Sequence, residues 1–174
     1  MFSARALVRE RNLIRSSIIV LTTLAVAFTG PWTSSLAGPE RARGNYRFKS
    51  AEVCFMRKIN QARKRHGLRT LRWDMQLGYV ARRHARQMAG YNSVYHDPNV
   101  GQEVTRWRTI AQNTGRGRNC KRTFKSFMAS APHRANVLGR WRFLGVGIEH
   151  HGGYVYVQQL YEKNNNPGNI YHWP

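Results

Sequence analysis

Leu77, Val80, Ala81, His84, Ala85 and Met88 fall at three- and four-residue steps, the spacing that gathers side chains on one face of a helix. Further along, the period changes to two. Residues 144–149 and 154–161 alternate, and His150-His151-Gly152-Gly153 between them is a hairpin signal. A chain that carries both periods in separate blocks is neither all-helical nor all-strand. The pattern points to an α+β domain.

The remaining punctuation fits that class. A first helix is expected from Ser50, as its cap, to about residue 66, with Glu52 in the first turn where the helix dipole favours an acid. Phe55, Met56, Ile59 and Ala62 share one of its faces, and Gly67 ends it. Asp74 is a good cap for the second helix and Gly90 stops it. Residues 91–106 read as a polar connection. A short strand over 107–113 is expected to break at Gly115-Arg116-Gly117. A third helix over 119–130 runs through Phe124, Phe127 and Met128 to a stop at Pro132, and 133–138 adds a further helical turn.

The start of the chain reads as an export leader. Arg5, Arg9, Arg11 and Arg15 precede a short apolar run at 18–28, and Ser35-Leu36-Ala37 offers a small-x-small cleavage pattern. The rival is an uncleaved anchor, but the run falls short of the roughly 18–20 residues that span a bilayer. The expected organisation is a leader at 1–37, a basic linker at 38–50, one domain at 51–162 and a coil tail at 163–174. Of the formal net charge of +21, the leader carries only +3. So basic a surface attracts anionic envelope polymers, anionic lipids and other polyanions, in a salt-dependent way. No aromatic-basic repeat marks a specific nucleic-acid reader. Cys54 and Cys120, an even pair in an exported chain, are expected to form a disulfide, which in the chain-entropy model would add about 4 kcal/mol.

Several local motifs then come together. His84-Ala85 and Met88-Ala89 close the second helix, Tyr95-His96 follows, and Ala111-Gln112-Asn113-Thr114-Gly115 precedes a glycine-rich loop. Phe127-Met-Ala-Ser-Ala-Pro-His133-Arg-Ala-Asn-Val-Leu138 leads to Val146-Gly147. Together these resemble the CAP superfamily (cysteine-rich secretory, antigen 5 and pathogenesis-related proteins) in its short bacterial form. The resemblance implies an α-β-α sandwich, a small antiparallel sheet between helices. It also implies that His96 and His133 face each other across a cleft, while Asn113 reads as a polar tie bonding the loop that closes it.

In that superfamily the two histidines often hold a divalent metal with help from a glutamate, and here Gln112 stands in the glutamate's place. An amide is a weaker ligand than a carboxylate and cannot act as a general base. Ser130-Ala131-Pro132-His133 also reverses the usual order of proline and small residue. Glu103 is the nearest spare carboxylate and reads as a solvated loop residue. The expectation is a secreted, extracytoplasmic binding module rather than an enzyme. A cleft framed by His96, Gln112, Asn113 and His133 would take a small or lipid-like ligand. No cofactor is required, and zinc would be a weak occupant on His96 and His133. Two rivals stand beside this reading: a metal-assisted hydrolase, and a cationic protein that adheres to wall polymers or nucleic acid. His84 reads as a core residue. Asn60, Arg63, Arg134 and Asn136 read as ties between helix ends and loops. Tyr79, Tyr91, Tyr95, Trp107, Trp141 and Tyr156 are candidates for an apolar groove, with at least half of them expected in the core.

Overall fold

The computed structural model describes residues 46–163, together with two short strands at 4–8 and 170–171. Beyond Ala4–Val8 the expected leader lies outside the described residues, as does the linker up to residue 45. In chain order the elements are β1 (Ala4–Val8), α1 (Ser50–Arg65), β2 (Arg72–Asp74), α2 (Met75–Gly90), α3 (Val100–Glu103), β3 (Thr109–Gly117), α4 (Cys120–Ala129), α5 (Ala131–Leu138), β4 (Phe143–His151), β5 (Tyr154–Glu162) and β6 (Ile170–Tyr171).

The strands form one sheet in the order β1-β3-β5-β4-β2-β6. All pairs are antiparallel except β2 with β4, where Arg72 pairs with Phe143 and Trp73 with Leu144. Gly152 and Gly153, at φ +56° and +73°, make the two-residue turn between β4 and β5, a conformation that residues with a Cβ adopt only at a cost.

Strand alternation builds two cores. Leu144, Val146 and Ile148 of β4, with Val155, Val157 and Tyr161 of β5, pack with Phe55 and Ile59 of α1, Phe127 of α4 and Val137 of α5. The neighbouring residues Phe143 and Leu160 pack with Leu77, Val80 and Ala81 of α2. Helices therefore cover both faces, and the fold is an α-β-α sandwich. Between the layers α2 lies flush on β4. A Cβ at Gly145 would overlap the backbone of Leu77 and Gly78, and one at Gly147 would overlap the Ala81 carbonyl.

Local chemistry fixes the helix ends. The Asp74 carboxylate accepts from Leu77 N at 3.0 Å, as a capping residue should. Helix α1 starts differently from expectation, with Lys49 rather than Ser50 as the cap. Lys49 N donates to Glu52 Oε2 at 3.0 Å. Glu52 is fully buried, and Arg82 of α2 grips it through two bonds of 2.5 Å. The guanidinium of Arg82 also lies 4.1 Å above the Tyr46 ring, so one arginine clamps the segment before α1 onto α2.

Four other expectations need correction. Strand β3 runs through Gly115-Arg116-Gly117 instead of breaking there, because eight of its residues pair with β5. Pro132 does not end a helix but sits in the first turn of α5, where no N–H is required. The connection at 91–106 contains the short helix α3. The tail read as coil returns to the sheet at Ile170–Tyr171, opposite Asp74 and Trp73. Cys54 and Cys120 are joined as expected, with Cα atoms 6.4 Å apart, linking α1 to the first residue of α4.

This packing can be tested at two positions. Gly147→Ala pushes α2 off the sheet and is expected to cost about 3 kcal/mol or more in urea unfolding. Burial raises the Asp74 carboxyl to about 6 from 3.8, against the opposing bonds from Leu77 and Gln76. A folded value above the unfolded one stabilises most below pH ~4, and the gain is lost as pH rises through 6, a span of up to about 3 kcal/mol. Asp74→Asn keeps a capping oxygen and should flatten the change in urea midpoint over that window.

Candidate functional site

Neighbouring residues of a strand point to opposite faces of the sheet, and Gln112 and Asn113 of β3 use this to reach both helical layers. On the α2 side, the Gln112 amide forms a two-way clasp with one backbone unit. Its Oε1 accepts from Asp97 N at 3.0 Å, and its Nε2 donates to Asp97 O at 3.0 Å. The same oxygen accepts from Gln158 Nε2 at 2.8 Å. Asp97 follows His96, so this clasp fixes the chain beside the first histidine. His84 holds the same loop from below. Its ring nitrogen Nε2 meets Tyr95 O at 2.8 Å, and the His84 and Tyr95 rings meet edge to face at 4.7 Å. His84 is fully buried, the core role expected of it.

On the other face, Asn113 Nδ2 donates to His133 O at 3.1 Å and to Gln159 Oε1 at 3.2 Å. Its Oδ1 accepts from Asn136 Nδ2 at 2.9 Å, and Asn136 Nδ2 also reaches Gln112 O at 3.1 Å. The His133 ring is held by Ser130 Oγ at 2.7 Å from Nδ1 and by Phe127 with ring centroids 4.9 Å apart. Ser130 holds the N-cap position of α5 without a side-chain capping bond, and its contact with His133 is a local brace across one helical turn, set by the three-residue spacing.

Thus two adjacent residues of β3 bond to the chain beside His96 and to that of His133. Exposure qualifies the open cleft expected from the sequence. Gln112, Asn113 and His133 are 2%, 0% and 0% exposed, and only His96 is partly accessible.

The donor set does not fit a resident divalent metal. The Gln112 oxygen already accepts two hydrogen bonds, and among the described residues no three His, Cys, Asp or Glu side chains assemble around a common point. Glu103 lies on α3 and pairs with Arg83, so it is neither a loop residue nor unpaired.

The tie residues behave as their types suggest. Asn60 exchanges bonds with Leu71, Arg63 donates to Arg69 O, Val137 O and Gly139 O, and Arg134 donates to Met128 O. Burial lowers the Arg63 pKa. The six aromatics do not form one groove. Tyr156 is buried, Tyr95 packs beside it, Trp107 and Trp141 join two other clusters, and Tyr79 and Tyr91 are exposed.

A different concavity went unread in the sequence. Lys58, Ala62 and Arg65 of α1 face Lys121, Arg122, Phe124, Lys125 and Met128 of α4 across a groove of about 490 Å³. Five cations and no carboxylate line it. The disulfide joins the same two helices, with Lys58 one turn beyond Cys54 and Lys121 next to Cys120. The signal was present in α4. Phe124 and Met128 are four residues apart and flanked by Lys121 and Lys125, a stripe distinct from fully buried Phe127.

The sheet with helices on both faces defines an α-β-α sandwich of the CAP type. The sequence matches the Cysteine-rich secretory protein family over residues 56–161, and the chain belongs to that family. No curated protein matches it. Among solved structures it is similar to an outer surface protein of Borrelia burgdorferi, with TM-score 0.62 and 15% identity over 67% of this chain and 95% of that one. It is also similar to an extracellular protein containing an SCP domain from Bacillus anthracis, with TM-score 0.56 and 25% identity over 65% of this chain and 41% of that one. A cysteine-rich secretory protein of Staphylococcus aureus gives TM-score 0.55 and 19% identity, over 66% of this chain and 38% of that one. Among the described residues no helix is long and apolar enough to cross a membrane.

The clasp makes a testable statement about Gln112. Gln112→Glu introduces an acid but loses the donor to Asp97 O, so it is expected to cost about 2 kcal/mol. Calorimetric titration of this variant with zinc should still show no tight one-to-one binding.

Proposed function

We propose that this chain is an exported, non-enzymatic binding module of the cell envelope, and that it takes an amphiphilic anion in the groove between α1 and α4. The observation that carries this reading is the groove's lining: Lys58, Arg65, Lys121, Arg122 and Lys125 around a floor of Ala62, Phe124 and Met128. Charged ammonium and guanidinium groups at a rim suit a phosphate or carboxylate head, while Phe124 and Met128 suit an apolar chain. The volume, about 490 Å³, is that of a small-molecule site. The leader-like start of the chain and the extracellular descriptions of similar structures support export.

This moves the ligand away from the cleft of His96, Gln112, Asn113 and His133, where three of the four residues are almost fully enclosed. Hydrolysis there lacks support too. The amide at Gln112 is not a base, and the Ser130 hydroxyl is spent on bracing His133.

The test is calorimetric titration with a short-chain, monomeric phosphatidylglycerol. Replacing Lys58, Lys121 and Lys125 together with glutamine should weaken binding about 100-fold, at roughly 1 kcal/mol per cation. Phe124→Ser should weaken it about tenfold through lost apolar contact. Loss on charge removal alone, with Phe124→Ser silent, would favour adhesion to anionic polymers. Loss on His96→Ala with the groove variants silent would return the ligand to the histidines.

A further inference from the structure

Strand β3 lies at the margin of the sheet built from residues 46–163, beyond β5. The outer edge of such a strand presents a row of backbone N–H and C=O groups. Edge strands are ordinarily guarded by charge, proline or a bulge. Here Thr109-Ile-Ala-Gln-Asn-Thr-Gly115 carries neither charge nor proline, in a chain with 29 lysines and arginines. Its register against β5 runs without a bulge from Ile110 to Gly117. Ile110, Ala111, Gln112, Asn113 and Thr114 are all 2% exposed or less, so the edge has a cover.

The cover comes from the start of the same chain. Strand β1 pairs antiparallel with β3: Ala4 opposite Asn113, Arg5 opposite Gln112, Ala6 opposite Ala111, Leu7 opposite Ile110 and Val8 opposite Thr109. It reaches the two β3 residues that bond to the chain at Asp97 and His133, and α5 lies beside it.

We infer that the outer edge of β3 is a strand-acceptor site for an extended peptide, occupied in the full-length chain by its own residues Ala4–Val8. Recognition is by main-chain hydrogen bonds, as in other strand additions, with small residues Ala4 and Ala6 at the register positions opposite Asn113 and Ala111. These residues precede the cleavage pattern at Ser35-Leu36-Ala37, so removal of the leader takes the occupant with it. Once it is removed, the same edge is open to an extended peptide of like pattern. The acceptor is independent of the groove between α1 and α4.

The experiment is residue-resolved hydrogen exchange on the full-length chain in mild detergent, with residues 1–37 retained. Successive amides of a strand point to opposite sides, so one of Ala6→Pro and Leu7→Pro removes a donor to β3 while the other proline faces away. In the disruptive variant, alternate amides within 109–113 should exchange at least about tenfold faster, while amides of β5 stay protected and so report an intact fold. A synthetic peptide of residues 1–12, added to that variant, should restore protection saturably. The same peptide carrying the disruptive proline should not. Unchanged exchange at 109–113 in both variants would overturn the inference, as would equal rescue by a scrambled peptide. Protection that returns with rising protein concentration and no peptide would also overturn it, in favour of edge pairing between copies.

Discussion

The contact on which the rest of the molecule depends is the seating of α2 against β4. Glycine at 145 and 147 lets the helix backbone touch the strand, with no side chain between them. That contact fixes both the rotation and the height of α2. Its far end then delivers His84 beneath Tyr95, and the loop after it arrives at Gln112 in the correct register for a two-way clasp. From the same helix, Arg82 reaches over to Glu52 and draws the other helical layer in. Clasp, ion pair and loop are consequences of one close approach.

The interior of the site is built from amides. Gln112, Asn113, Asn136, Gln158 and Gln159 exchange hydrogen bonds across both faces of the sheet. Most of these amide atoms are paired, while Gln158 Oε1 and Gln159 Nε2 have no partner among the described residues. Such a network specifies one arrangement to the extent that its members are satisfied. A carboxylate at 112 would accept bonds but could not donate to Asp97 O. An amide at 112 thus gives rigidity rather than reactivity: the loop beside His96 is latched to the sheet. This explains why the residues that looked most chemical in the sequence are among the least accessible.

Much of the fold was legible because its signals are local and strong. The stripe of α2, the Asp74 cap, the Gly152-Gly153 turn and the cysteine pair each follow from spacing or residue type alone. Strand β2 is only three residues long, too short to show a period, and it is placed by a parallel partner far along the chain. The length of β3 was hidden because glycines that usually break a strand are carried by pairing with β5. Pro132 has the same ambiguity, since proline both ends helices and begins them. At the site, the family pattern located His96, Gln112, Asn113 and His133 along the chain. It did not show that Gln112 would spend its amide on backbone, because its partner lies 15 residues distant. The basic groove was obscured for another reason: Phe124 and Met128 look like core residues until the neighbouring helix is in place.

Nearly every acidic group has a task close at hand. Among the described residues Glu52 serves Arg82, Glu103 serves Arg83, Glu149 serves Lys49 and Arg86, and Asp74 and Asp97 accept from backbone N–H, while Glu162 is buried. No carboxylate in this set is left over to answer the remaining arginines and lysines at the surface. The exterior is therefore close to a single-sign field, whose counterions must come from the surroundings. Copies of the molecule therefore repel one another in dilute buffer. Like charge on every copy keeps the particles apart as a dispersed colloid, and added salt, by screening that repulsion, should bring them closer together.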